Sequence, residues 1–161
     1  TEVDRPAVLE DLRQALYASK ICAYAQGFNL LEEAGKVYGW DLQMGRIAKI
    51  WRSGCIIRAR FLDTVSEIFE KENGMTNLLA SGYFSQVLYG ARAGWGRIIS
   101  LAVERGAAVP ALSSALAYFD SYRTARGSAN LLQAQRDCFG AHTYERIDKE
   151  GAFHTLSLIH I

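Results

Sequence analysis

The residues of this 161-residue chain best suited to chemistry on an anion lie near its end, in the stretch 133–144 (QAQRDCFGAHTY). Arg136 carries a planar fork of N–H donors that matches a phosphate, and His142 adds a donor near neutral pH. The pattern places Arg136 in the last turn of a helix and His142 just beyond Gly140, a glycine suited to the left-handed residue that closes helices. A helix C-terminus repels phosphate, so an anion here would depend on the two side chains and not on backbone N–H groups. The same dipole favours a cation in a last turn for structural reasons alone. Residue chemistry by itself leaves both readings open.

Other candidates are weaker. Residues 90–96 (GARAGWG) are glycine-rich, but a dinucleotide fingerprint needs a strand before it and a helix opening at it. Here the glycines fall inside a helical pattern, where they let a neighbouring helix come close. Arg46, Arg52, Arg58 and Arg60 gather around a break at Gly54, with Asp63, Glu67 and Glu70 near enough in sequence to pair with some of them. Trp40, Trp51 and Trp95 sit on or beside apolar helical faces and read as packing residues.

The elements that must position these residues are almost all helical. Asp4 and Pro6 open a long helix that Gly39 ends, with Val8, Leu12, Leu16 and Ala23 on one face. A second face carries Leu9, Tyr17, Ile21, Tyr24, Phe28 and Leu31, so this helix is expected to be enclosed by others. Asp41 caps a short helix reaching Arg52, Ser53-Gly54 breaks it, and a further helix is expected over 55–71, closed by Asn73-Gly74. Residues 76–80 make at most one turn. A second long helix covers 83–105 and ends at Gly106. Pro110 opens another to Thr124, and Ser128 or Ala129 opens a last one to Phe139. No alternating strand pattern of useful length occurs, so the expected class is all-α: a multi-helix domain with two long core helices and an extended C-terminal tail. An offset of 67 residues superposes Phe28 on Trp95, Leu31 on Ile98 and Gly39 on Gly106, a faint internal repeat.

Composition sets the outer bounds. Half of the residues are hydrophobic, 22% are charged and the formal net charge is +1, which argues against disorder and gives nucleic acid or an anionic membrane no basic stripe. The longest nearly uncharged run, 14–31, contains Lys20, Gln26 and Asn29 and reads as a buried helix, not a membrane span. Cys22, Cys55 and Cys138 are odd in number and form no CxxC pair, so reduced thiols in a cytoplasmic protein are expected.

Several long motifs, in order, give the chain a resemblance. Residues 131–137 (LLQAQRD) and 139–145 (FGAHTYE) resemble the C-terminal signature of the 6-phosphogluconate dehydrogenase family. Residues 148–155 (DKEGAFHT) are similar to the bacterial form of its tail, and LYASK at 16–20, YAQGF at 24–28 and WRSGCIIR at 51–58 agree as well. The resemblance runs from Val8 to Thr155. It implies a homodimeric, cytoplasmic enzyme that oxidises and decarboxylates 6-phosphogluconate with NADP, giving ribulose 5-phosphate and CO2. It further implies that NADP is held by an N-terminal domain absent from this chain, and that the general base and acid lie upstream, leaving no catalytic, cofactor-binding or metal-binding residue here. Arg136 and His142 match the family's arginine and histidine that reach the substrate bound in the other subunit. The family's helical domain also carries an internal duplication, which agrees with the 67-residue repeat.

Within this resemblance, 1–141 is the helical C-terminal domain and 142–155 a tail reaching the partner subunit. Residues 156–161 (LSLIHI) match nothing of the family's ending and resemble the translation of a transposon end used in preparing sequencing libraries, so they are expected to be non-native and His160 carries no weight. The chain also starts at Thr1 inside a helix start, as a fragment would. Ser53 stands at a usual glycine, Cys138 at a usual aromatic, and Gly127-Ser128-Ala129-Asn130 where Leu-Pro usually precedes Ala-Asn. Two alternatives remain: a non-catalytic helical dimerisation or interaction domain, and another β-hydroxyacid dehydrogenase acting on a non-phosphorylated substrate.

Overall fold

A computed structural model describes residues 4–71, 75 and 77–155. The expected breaker at Asn73-Gly74, the start of the turn at Thr76 and the 156–161 tail lie outside the described residues. Six α-helices occur among the described residues: α1 (Arg5–Tyr38), α2 (Met44–Trp51), α3 (Leu62–Lys71), α4 (Gly82–Glu104), α5 (Pro110–Tyr122) and α6 (Ala129–Gly140). A single 3₁₀ turn at Leu78–Ala80 precedes α4, and β1 (Tyr144–Glu145) pairs antiparallel with β2 (Ala152–Phe153). The chain divides into two compact units, 1–119 and 120–161.

The first unit is built on the pairing of α1 with α4. Asp4 caps α1 by accepting from the Ala7 N–H, and Pro6 occupies its first turn, where a missing N–H costs nothing. The buried face of α1 is a row of small residues, Ala15, Ala18, Cys22 and Ala25, with Ile21 and Phe28 beside it. Small side chains let the α4 face of Leu88, Ala91, Trp95 and Ile98 approach closely. At Gly94 an added Cβ would come within 2.5 Å of an Asp11 carboxylate oxygen, so the glycine-rich stretch serves helix packing. Asp11 in turn receives two bonds from the Arg97 guanidinium, at 2.6 and 2.7 Å, tying the start of α1 to α4.

Smaller helices close this core. Ser66 of α3 donates its hydroxyl to the Gly45 carbonyl of α2 at 3.0 Å, and both residues are buried. Phe28 meets Trp51 and Phe69 with ring centroids 5.0 and 5.1 Å apart, and the Trp95 indole N–H reaches the Leu112 carbonyl of α5 at 3.2 Å. Burial pushes the Cys22 thiol up to about 12, which makes it an inert core residue. No disulfide joins Cys22, Cys55 or Cys138.

The 67-residue repeat is visible in burial and backbone. Ile21 and Leu88, Phe28 and Trp95, and Ala48 and Ala115 are superposed by the offset and are all buried. Gly39 and Gly106 both take the left-handed conformation, at φ 69 and 66°.

Three expectations for this unit are corrected. Among the described residues the long helix is enclosed on one of its two expected faces: Ile21 and Phe28 of the second are buried with the neighbouring alanines, whereas Leu16 and Ala23 of the first lie exposed. The helix expected over 55–71 begins only at Leu62. Ile56 and Ile57 find no core to enter and lie exposed, and the Tyr24 hydroxyl takes the Ile57 carbonyl that a helix would have used. Asp41 does not cap α2. Its carboxylate accepts from the Gln43 side chain, and α2 starts three residues later.

Overpacking therefore tests the α1–α4 seam. Ala18→Leu is expected to cost about 1–3 kcal/mol, as inserted methylenes do in a filled core. Leu16→Ala, two residues away, should stay within about 0.5 kcal/mol. Urea denaturation of the chain measures both, and equal costs at the two positions would mean the packed face is wrongly assigned.

Candidate functional site

The second unit is organised around one buried carboxylate. Asp137 on α6 is 2% exposed and accepts three N–H bonds. They come from the Thr143 backbone at 2.9 Å, the Thr155 backbone at 2.9 Å and His154 Nδ1 at 2.8 Å. Donors from both ends of the 141–155 segment thus converge on one side chain. The segment between them is not a featureless extension: Tyr144 pairs with Phe153 and Glu145 with Ala152, and the Tyr144 hydroxyl bonds that of Thr155 at 2.8 Å. In the loop, Arg146 forks onto Asp148 and, with Lys149, lies over the Phe153 ring.

The Thr155 N–H is the largest influence holding the Asp137 carboxyl below its usual range, followed among the bonds by His154 and Thr143 and opposed by desolvation. A carboxylate in a helix's last turn faces an unfavourable dipole, and these donors offset it.

Arg136 and His142 are both exposed. Arg136 lies one residue before the last turn, because α6 runs through Gly140 and closes with the Ala141 N–H on the Asp137 carbonyl. The left-handed closing residue is Ala141, at φ 51°, not Gly140. Gly140 has a different use. The His142 ring lies against it, so an added Cβ would meet Nε2 at 3.0 Å and Cδ2 at 3.1 Å. Thr143 follows with φ 61°, an uncommon conformation for a β-branched residue.

Gln133 links Arg136 to the turn that carries His142. Its amide oxygen accepts from Arg136 Nη1 at 3.3 Å, and its amide nitrogen donates to the Thr143 carbonyl. Gln133, Asp137 and Gly140 are spaced four and three apart, so they share one face of α6. The turn bearing His142 rests on that face.

A groove of about 780 Å³ lies on the same unit, lined by residues including Arg126, Asn130, Gln133, Asp137, Tyr144 and Arg146. Arg136 and His142 are not in its lining. Elsewhere, Arg52 pairs with Asp63, while Glu67 and Glu70 pair with Lys71 and Lys49. Among the described residues no group of three His, Cys, Asp or Glu is placed to hold a metal ion, and no helix is long and apolar enough to cross a membrane.

Residues 1–157 match the family model described as 6-phosphogluconate dehydrogenase, C-terminal domain. The chain belongs to this family. It is 53% identical over 152 residues to the NADP(+)-dependent, decarboxylating 6-phosphogluconate dehydrogenase of Bacillus subtilis (strain 168), covering 94% of this chain and 32% of that one. It is 51% identical over 153 residues to decarboxylating 6-phosphogluconate dehydrogenase 1 of Oryza sativa subsp. japonica, covering 95% and 32%. Among solved structures, the Plasmodium falciparum 6-phosphogluconate dehydrogenase superposes with a TM-score of 0.91 at 39% identity, over 97% of this chain and 33% of that one. That enzyme was solved in its apo form, with its cofactor NADP+ and with its substrate 6-phosphogluconate. The chain thus spans about a third of the length of these relatives of the 6-phosphogluconate dehydrogenase family. Within that third, the residue types single out Arg136 and His142 as candidates, whereas Gln133, Asp137 and His154 emerge only from the geometry. The helical spacing of 133, 137 and 140 was the available signal for the first two. His154 needed the hairpin.

The depressed Asp137 carboxyl gives a pH expectation. A group whose folded pKa lies below its unfolded value contributes stability above the unfolded pKa and loses it as pH falls through the folded one. Docking of the 141–155 segment should therefore weaken only below about pH 4, the usual carboxylate range. Amide exchange at Thr143 and Thr155 followed by NMR reads this directly. Protection unchanged down to pH 2 would show that the carboxylate does not hold the segment.

Proposed function

We propose that this chain is the C-terminal part of an enzyme that oxidatively decarboxylates 6-phosphogluconate to ribulose 5-phosphate and CO2 with reduction of NADP. Its own part is to contribute Arg136 and His142 to the phosphate end of the substrate bound by the other subunit of a homodimer. The observation that carries this reading is that Gln133 bonds both the Arg136 guanidinium and the backbone carbonyl of Thr143, the residue that follows exposed His142. The guanidinium fork supplies paired donors for phosphate oxygens, and the imidazole adds one more when its Nε2 carries hydrogen. Such a grip on a remote group supplies binding energy that holds the reacting carbons in place.

A partner surface is supported by Leu131, Leu132 and Phe139, which are 74, 59 and 72% exposed on α6. Leu132 and Phe139 lie seven residues apart on one face, a spacing that favours contact with another chain. A reducing compartment such as the cytoplasm is consistent with three cysteines outside any disulfide.

The residues present do not fit NADP. The glycine-rich stretch lies inside α4, with no strand before it among the described residues and no helix start at its glycines, so it cannot form the turn that cradles a dinucleotide. No step is assigned to this chain through the cofactor.

In the full-length enzyme, Arg136→Ala should raise KM for 6-phosphogluconate by about tenfold or more, the loss of roughly one charge-assisted contact. The KM for NADP should stay within about twofold, since this contact touches substrate alone. Steady-state kinetics with each substrate varied decides it, and an unchanged sugar-phosphate KM would reduce Arg136 to a helix-end cation. The 161-residue chain alone should reduce no NADP in the presence of 6-phosphogluconate. Measurable reduction would place chemistry inside this part, whereas a helical interaction domain would lack activity even at full length.

A further inference from the structure

We propose that Gln133 and Gly140 are positioning residues that fix the Arg136–His142 pair in the geometry needed to grip a phosphate, Gln133 through its bridging amide and Gly140 by leaving room for the imidazole. This rests on the reading of Arg136 and His142 as phosphate contacts.

The two candidate contacts sit on structures of different stiffness. Arg136 extends from a regular helix on a long side chain, whereas His142 lies in a turn between two left-handed residues, Ala141 and Thr143. Non-glycine residues hold such backbone only where surrounding contacts over-determine it. Here the contacts are specific. Asp137 takes the Thr143 N–H at 2.9 Å, and Gln133 donates to the Thr143 carbonyl. Both polar groups of the Thr143 backbone are thereby bound to the same face of α6.

The Gln133 amide is used at both ends. Because its nitrogen is committed to Thr143, its oxygen is turned toward Arg136 and accepts from Nη1 at 3.3 Å. One planar group thus sets the turn carrying the imidazole and orients the guanidinium. A glutamate would keep the acceptor and lose the donor. A leucine would lose both.

Gly140 governs the remaining freedom, the lie of the ring. Its backbone is helical, so no special φ calls for glycine. What calls for it is space. With a Cβ 3.0 Å from Nε2 and 3.1 Å from Cδ2, the ring must give by a few tenths of an ångström. Nε2 is also the ring atom nearest Gly140, so a methyl group there shifts the nitrogen proposed to donate to the phosphate. Alanine is the better helix former, so Gly140→Ala perturbs the ring without weakening α6.

The test uses the full-length dimeric enzyme and five variants: Arg136→Ala, Gln133→Leu, Gln133→Glu, Gly140→Ala and the double Gln133→Leu/Arg136→Ala. Gln133→Leu and Gly140→Ala are each expected to raise KM for 6-phosphogluconate about five- to tenfold, the scale of one misplaced contact, with kcat and the NADP KM within about twofold. Thermal stability of Gly140→Ala should equal or exceed that of the parent. In the Arg136→Ala background the Gln133→Leu effect should shrink, as coupled residues do, leaving only the part exerted through the turn that carries His142. Gln133→Glu should fall between parent and leucine. If Arg136→Ala raises the sugar-phosphate KM while Gln133→Leu and Gly140→Ala do not, positioning is overturned and the phosphate contact stands. If the variants lower kcat and melting temperature together, their role is structural and the proposal fails. An unchanged KM in Arg136→Ala overturns the underlying reading, a result separate from either.

Discussion

A carboxylate that is 2% exposed can remain ionised only if the protein supplies the donors that water no longer gives. Asp137 imposes that constraint on the last third of this chain. Its demand for hydrogen bonds is met by residues six, 17 and 18 positions away, so satisfying one side chain requires the segment to leave the helix, turn through Ala141–Thr143, run out and return. The hairpin pairs only two residues on each strand, too few to be stable by themselves. The carboxylate makes the ladder worthwhile, and the ladder brings His154 and Thr155 back to the carboxylate. Each explains the other.

The same constraint accounts for where the exposed chemistry sits. Arg136 precedes Asp137 by one residue and so points to a neighbouring direction on α6, while Thr143, which Asp137 binds, follows His142. The buried anion is therefore flanked in sequence by a cation on one side and, through the turn, by an imidazole on the other. Asp137 faces inward with its charge satisfied, leaving Arg136 and His142 as the outward-facing polar groups. An arginine placed one position earlier would have no such relation to the turn, because Gln133, three residues before Arg136, would no longer lie beneath it.

Much of the fold was legible in the sequence because helices announce themselves by period and by their ends. Asp4 with Pro6, Gly39, Gly106 and Pro110 mark real boundaries. What periodicity could not supply was which apolar face is used. On α1 Leu16 marked one apolar face and Ile21 and Phe28 another, yet only the second is buried, together with the alanines beside it, since close helix approach depends on small residues more than on hydrophobic ones. Residues 55–61 failed for a related reason. Ile57 and Phe61 look like one helical stripe, but only Phe61 finds a place in the core. The site was half legible. Arginine and histidine can be recognised by type. Gln133 looks like an ordinary polar residue until the backbone of Thr143 is seen to lie against it.

Gly140 illustrates why residue type underdetermines role. A glycine near a helix end is most simply explained by backbone conformation, and that explanation predicts a positive φ which Gly140 does not have. Ala141 has it instead, so the chain accepts a strained alanine next to an unstrained glycine. Exchanging the two would relieve the backbone at 141 and would set a methyl group against the imidazole at 140. That the sequence keeps the costlier order implies that the space beside His142 matters more than the conformational cost of an alanine at φ 51°. Stability alone would favour the opposite arrangement, with alanine inside the helix and glycine at its end. A preference against stability, at a ring whose seat is otherwise open to solvent, is the pattern expected where a side chain must be held for a ligand and not for the fold.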